Sequence, residues 1–231
     1  MTHDHGSHAP TAPDAPASTP PDSDPFGRPY WEDRYAAPGL TWSGNPNQVL
    51  VDEVTGLAPG RALDIGSGEG GDALWLARRG WQVTGVDIAE KALAKASDRI
   101  ASLDPAAGSR IAWEQHDLRE WAPAARSFDL VTSHFMHLAD PARTTLFRAL
   151  AEAIAPGGTL LIVGHDMSEL EPTEHNAHHR ELMFGISDVL VAIDGSGLVV
   201  DVAESRSRAA TSAQPGAAVV RDVIVRASRP A

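Results

Sequence analysis

The chain has 231 residues, 42% apolar and 22% charged, enough for one domain with a substantial core and unlike collagen, coiled coils or wholly disordered chains. Against 31 acidic residues stand only 19 Lys and Arg, so the formal net charge is −12 and neither phosphate backbones nor anionic lipid surfaces are expected partners. There is no cysteine, which removes disulfides, Cys-ligated zinc and thiol catalysis.

Residues 1–25 are rich in Pro, Ala, Ser, Thr and Asp, and no apolar residue larger than Ala follows Met1. Such a segment cannot bury enough surface to offset its ordering entropy. It also lacks the basic start and apolar run of a signal peptide. No window approaches the roughly 18 apolar residues of a membrane span, so a cytoplasmic location is expected. His3, His5 and His8 read as part of a solvated tail. The domain boundary is set at Tyr30, with 1–29 as tail and 30–231 as the folded body. Apart from Lys91 and Lys95 every basic residue is arginine, a bias that fits a GC-rich bacterial genome.

From Phe26 onward the pattern alternates. Asn45–Gly56 has helical spacing, Arg61–Gly66 reads as a buried strand, and Gly71–Arg79 as a helix stopped by Gly80. Trp81–Asp87 is a second strand, Ala89–Leu103 a helix, Arg110–Glu114 a third strand and Phe128–Ser133 a fourth. A helix over Pro141–Ala155 ends before Pro156-Gly157-Gly158, and Thr159–Gly164 is a fifth strand. Gly197–Glu204 and Ala218–Ala227 are β-rich runs with no helical pattern between them, so they should pair antiparallel. The expected fold is α/β, a Rossmann-like doubly wound, mostly parallel seven-stranded sheet. Helices cover both faces and an antiparallel hairpin, carrying one reversed strand, closes its C-terminal edge.

The strongest motif is Leu63-Asp64-Ile65-Gly66-Ser67-Gly68-Glu69-Gly70-Gly71, a strand entering a glycine turn that opens a helix. It fits the dinucleotide fingerprint through Gly66, Gly68 and Gly71. It equally fits the D-x-G-x-G turn of S-adenosylmethionine binders through Asp64, Gly66 and Gly68, with Gly70 following. Charge decides between them. A carboxylate at Asp64 repels a pyrophosphate but favours a ligand carrying a sulfonium and an ammonium, and Glu69 acts in the same sense. Asp87 ends the second strand, where an acid accepts from ribose hydroxyls, a feature common to both ligands. After the third strand, Asp117 faces two open readings, an acceptor for an adenine amine beside Leu118 or an N-cap.

With these motifs in place the chain resembles the class I S-adenosylmethionine-dependent methyltransferases. ALDIGSGEGGDALWLA, VTGVDIAEKAL, EQHDLREW, FDLVTSHFMHL and APGGTLLIVGHD follow in that family's order. The resemblance implies cofactor contacts from Asp64, Gly66, Gly68, Gly70, Asp87 and Asp117. Trp42, Ser67, Ile88, Leu118 and Ser133 complete the expected cofactor set. The leader Tyr30–Tyr35 and the segment Thr41–Asn47 are similar to the thiopurine and tellurite-resistance branch. Members of that branch methylate soft nucleophiles and fold their N-terminal segment over the cofactor.

The expected activity is therefore methylation of a small molecule: a thiol, a thiopurine-like compound or a chalcogen oxyanion. Alternatives are O- or N-methylation of a metabolite, and a binding protein that holds the cofactor without catalysis. An NAD-dependent oxidoreductase is disfavoured by Asp64, and nucleic-acid methylation by charge and by SHFM in place of an Asn/Asp-Pro-Pro-aromatic motif. His134, His165 and His137 are the candidate bases or orienting groups near the ends of strands four and five, with Asp166 a candidate to fix a histidine tautomer. Trp31, Phe135 and Arg180 are the candidate substrate contacts. No metal is expected, because the His175–His179 cluster lacks a defined ligand spacing and reads as a lid or a solvated loop. The oligomeric expectation is a monomer or homodimer.

Overall fold

The computed structural model describes residues 26–166, 181–209 and 219–231. The tail histidines, the His175–His179 cluster and Arg180 lie outside the described residues.

The order of elements is α1 (Arg28–Arg34), α2 (Gln48–Val54), β1 (Arg61–Ile65), α3 (Gly71–Arg78), β2 (Gln82–Asp87), α4 (Glu90–Leu103), α5 (Pro105–Gly108) and β3 (Ile111–Gln115). There follow β4 (Phe128–His134), α6 (Ala142–Ala153), β5 (Ile154–His165), α7 (Ile186–Ile193), β6 (Val199–Ala209) and β7 (Val219–Ser228). The strands form one seven-stranded sheet in the order β3-β2-β1-β4-β5-β7-β6. β1 to β5 are parallel, and β7 pairs antiparallel with both β5 and β6. The expected α/β sheet and its C-terminal hairpin are both present. The reversed strand is β7, which lies inside the outermost strand rather than at the edge itself.

Alternation along each strand divides the core in two. Ala62, Leu130, Leu161, Val163 and Ile224 pack on the face covered by α2 and α3. Leu63, Ile65, Val131, Ile162 and Val225 pack on the opposite face, against α6 and α7. Asp64, Thr132, His134, His165 and Asp222 continue the first of these faces out to the carboxyl edge, by strand parity with Ala62, Leu130, Val163 and Ile224.

Some boundaries differ from the sequence reading. α7 occupies ISDVLVAI, a stretch too uniformly apolar to reveal a helical period; Gly185 N–H donates to Asp188 Oδ2 at 2.7 Å across its first turn. β5 begins at Ile154 because its Pro-Gly-Gly start still pairs with β4 and the chain's end. α1 begins at Arg28, two residues before the expected boundary at Tyr30. Residues 135–139 are irregular rather than helical, so His134 and His137 do not share a helix face.

Candidate functional site

The turn between β1 and α3 is built by three glycines in left-handed backbone conformation, Gly66 (φ 70°), Gly68 (φ 50°) and Gly70 (φ 75°). Only glycine adopts such angles without steric cost. Gly66 and Ser67 both donate N–H to Val86 O, at 2.8 and 2.9 Å, and Gly70 N–H donates to Ser67 O. Gly68 N–H donates to Asp87 Oδ2 at 2.9 Å. These four amides are spent inside the fold. The turn therefore does not offer them as a nest for a pyrophosphate, as the charge of Asp64 already implied.

Asp64 lies beneath the turn and is 2% exposed. Its Oδ1 accepts from Thr132 Oγ1 at 3.2 Å, whereas its Oδ2 is buried and has no partner among the described residues. Burial first, then the charge of Asp72, push its carboxyl up to about 7 against the pull of His134 and Thr132. Asp87 is also buried and raised, burial outweighing the N–H groups of Ala89, Gly68 and Ile88 that favour its ionised form. Ser67 Oγ and His134 Nε2 are two further buried atoms without a partner among the described residues. Three orphaned polar atoms around one glycine turn, a carboxylate oxygen among them, are the chemistry a polar cationic ligand would complete.

Asp72, in the first turn of α3, accepts from Asn47 N–H at 2.6 Å and pairs with His134 Nδ1 at 2.7 Å. Burial pulls the His134 imidazole down, but the Asp72 charge, their hydrogen bond and Asp64 outweigh it, and the net shift is upward. Asp64, Asp72 and His134 offer three ligand-type atoms within 4.8 Å of one another.

The N-terminal segment lies on the turn. Glu69, 3% exposed, accepts the N–H groups of Thr41 and Trp42, with Thr41 bonded to both oxygens at 2.9 and 3.0 Å. Trp42 Nε1 donates to Tyr35 Oη at 3.0 Å. Tyr35 Oη lies 3.0 Å from where a Cβ on Gly68 would stand. Burial, then Asp87, raise the Tyr35 phenol well above its usual range. Tyr35 and Asp72 were not among the site residues expected from sequence, and Glu69 was read there only for its charge. Their signal lies in contacts 7 to 28 residues apart along the chain, which no local pattern encodes.

The other expected residues fall into three groups. Trp42 is half-exposed, with the Arg34 guanidinium 4.7 Å from its ring, and Ser133 is buried beside Ile65 at the start of the turn. Ile88 contributes its carbonyl to Gln115 Nε2, and Leu118 packs against the α6–α7 side of the core. Asp117 is held by Arg119 through its side chain and backbone N–H, and those hydrogen bonds depress its carboxyl. It also caps the turn to Trp121, so its N-cap role is present.

His137 stands away from His134. Its ring lies against Phe26 and Trp31, and Trp31 itself stacks on Tyr35 at 6.1 Å, so these four rings form an aromatic cluster around α1. His165 pairs with Asp222, not Asp166, with Nδ1 3.4 Å from Oδ1. Asp166 instead bonds Ser205 and faces Arg221 at 3.9 Å. The Phe135 ring packs on His165 at 4.4 Å, and Phe135 has a left-handed φ of 52°.

Residues 62–158 match a family model described as a methyltransferase domain. An ubiquinone biosynthesis O-methyltransferase of Aromatoleum aromaticum is 37% identical over 111 residues, which are 47% of this chain and 45% of that protein. A trans-aconitate 2-methyltransferase of Rhizobium meliloti is 36% identical over 131 residues, 55% of this chain and 47% of that one. The chain spans about half the length of the curated relatives it matches. A structure from work on the conversion of a disulfide bond into a thioacetal group during echinomycin biosynthesis superposes with a TM-score of 0.67 at 21% identity, covering 89% of this chain and 90% of that one. Haemonchus contortus phosphoethanolamine N-methyltransferase 2, solved with S-adenosyl-L-methionine, has a TM-score of 0.65 at 20% identity and covers 87% and 56%. Residues 62–158 thus resemble a methyltransferase domain, and the sheet has the fold of these solved structures. Among the described residues no helix is long and apolar enough to cross a membrane.

Proposed function

We propose that this chain is a class I methyltransferase that moves a methyl group from S-adenosylmethionine to a small-molecule acceptor. The observation that carries this reading is the buried, unpartnered Oδ2 of Asp64 beneath a turn whose amides are already satisfied. That arrangement suits a cation and not a phosphate. Asp64 would face the positive end of the cofactor and Asp87 its ribose, with Trp42 and Tyr35 covering the turn. The bound cofactor supplies an electrophilic methyl on a sulfonium. The chain's own part is to exclude water, align the acceptor and, where the acceptor needs it, take a proton.

The resemblance of Tyr30–Asn47 to the thiopurine and tellurite branch favours a soft acceptor. A thiol, with a pKa near ~8.5, needs little help to ionise. His134 Nδ1 is engaged by Asp72, which leaves His134 better placed to hold the turn than to act as a free base. A second reading, O-methylation, is favoured by the His165–Asp222 pair and by the O-methyltransferases among the relatives.

The test is release of S-adenosylhomocysteine with a thiol, a thiopurine, selenite and tellurite set beside phenols and amines. Turnover on the soft acceptors supports the first reading, and turnover on phenols alone the second. Tight cofactor binding with no turnover on any acceptor would replace both with a binding role.

A further inference from the structure

At the carboxyl ends of β4, β5 and β6 and the amino end of the antiparallel β7, four side chains meet on the face that also carries Asp64 and His134. Asp222, 3% exposed, is the centre. Its Oδ1 lies 3.4 Å from His165 Nδ1 and its Oδ2 accepts from Arg208 Nε at 2.5 Å. Phe135 backs both partners, with its ring 4.4 Å from that of His165 and 5.6 Å from the Arg208 guanidinium carbon. Among the described residues neither Nη of Arg208 nor Nε2 of His165 has a hydrogen-bond partner. Both side chains are more than a third exposed.

A structural explanation of this cluster has little to work with. Asp222 is buried but its Arg208 partner is 38% exposed, so solvent screens the pair and limits what it adds to stability. A bulky residue at positive φ costs about 1–3 kcal/mol, and here the strain falls on Phe135, immediately after His134. What the arrangement does achieve is orientation. Asp222 takes the inner nitrogen of a planar fork and of an imidazole, and so aims their outer nitrogens from fixed positions. An aimed guanidinium edge matches a carboxylate or another small oxyanion through two parallel hydrogen bonds. With Nδ1–H turned to Asp222, His165 Nε2 is an acceptor for an S–H or O–H on the same molecule.

We infer that Arg208 and His165, set in place by Asp222 and Phe135, form the acceptor subsite, and that the acceptor carries a small oxyanionic group bound by Arg208. This rests on the methyltransferase reading above. Arg208 and His165 touch the acceptor; Asp222 and Phe135 are positioning residues.

The test is a calorimetric titration of the full chain saturated with S-adenosylhomocysteine. Mercaptoacetate and selenite are the anionic probes, in separate arms, and 2-mercaptoethanol is the neutral one. In the unaltered protein at least one anion is expected to bind about tenfold or more tighter than 2-mercaptoethanol. Arg208→Gln should reduce that preference to within about twofold and leave S-adenosylhomocysteine affinity unchanged, whereas Arg208→Lys, which keeps the charge but not the fork, should retain part of it. Preference for mercaptoacetate points to a carboxylate, and for selenite to a chalcogen oxyanion. No preference in the unaltered protein, or a preference that survives Arg208→Gln, overturns the proposal. Failure of the methyltransferase reading is separate, because it shows as no binding of S-adenosylhomocysteine; the probes are then titrated alone, and dependence on Arg208 still decides.

Discussion

His134 Nδ1 lies 2.7 Å from Asp72 Oδ2, and this contact ties the end of β4 to the first turn of α3. Both side chains are largely buried, at 6% and 16% exposure. Asp64 stands beside them, so the imidazole is the local counterweight to two carboxylates. Removing one member of a buried pair costs about 3–5 kcal/mol because the other is left uncompensated. His134→Ala should therefore lower the unfolding free energy by an amount in that range at pH 6, read from urea denaturation. A loss below about 1 kcal/mol would mean the pair carries no structural weight.

Glu69 is the second tie. Its carboxylate holds the N–H groups of Thr41 and Trp42, and Lys95 stands 3.6 Å away. Glu69→Ala leaves two backbone donors without their acceptor, which costs about 1–3 kcal/mol per group if they stay dry. The N-terminal segment should escape by lifting off the turn. Limited proteolysis within residues 36–46 should then accelerate, and affinity for S-adenosylhomocysteine should fall by about tenfold. Unchanged cleavage and affinity would show that the segment is held by Trp42 and Tyr35 instead.

Two glycines of the turn separate strain from space. A Cβ on Gly66 would meet nothing within 4 Å, whereas one on Gly70 would lie 2.7 Å from Trp113 Cη2 and 3.1 Å from Ala96 Cβ. Both have positive φ, which costs a non-glycine about 1–2 kcal/mol. Gly66→Ala should lose that amount of stability and little more, with its larger effect on cofactor affinity because the added methyl projects into open space at the mouth of the turn. Gly70→Ala should lose about 1–3 kcal/mol beyond it, as overpacking. Thermal denaturation and a cofactor titration of the two variants make the comparison; equal losses of stability would contradict it.

The turn was legible because its chemistry is local. Asp64, Gly66, Gly68, Gly70 and Asp87 sit at fixed offsets from two strand ends, and strand ends are where a periodic apolar pattern stops. The second half of the site was not legible. Asp222 reaches His165 across 57 residues and Arg208 across 14, through the β5–β7 and β6–β7 registers, and a strand register depends on pairing partners rather than on local sequence. Asp166, adjacent to His165, was the nearer choice by sequence, yet His165 pairs with Asp222, because neighbours along a strand point to opposite faces. His137 stands apart from His134 because the chain runs irregularly after β4 rather than in a helical turn, which no local pattern announces.

The buried pair of Asp64 and His134 also sets a pH dependence whose sign differs between the ligand-free and the ligand-bound protein. Both groups titrate above their ordinary values in the fold, Asp64 at about 7. Raised values mean that the fold favours the protonated forms. Their contribution is full below the unfolded values, 3.8 for Asp64 and 6.5 for His134, and is lost as pH rises through the folded ones. The depressed carboxyls of Asp117, Asp140 and Asp222 act in the opposite sense, but only near and below their unfolded value of 3.8. Across the neutral range the ligand-free protein should therefore lose stability with rising pH, by at most about 1.4 kcal/mol per unit for each group. Cofactor affinity should run the other way. A cationic ligand beside Asp64 binds the ionised carboxylate, so the affinity for S-adenosylhomocysteine should rise by up to about tenfold between pH 6 and 8 and level off above. Asp64→Asn should flatten this rise and leave the weaker, low-pH affinity throughout. Calorimetric titrations of both proteins from about pH 5.5 to 8.5 test it; an affinity independent of pH in the unaltered protein would remove Asp64 from the cofactor's cationic end.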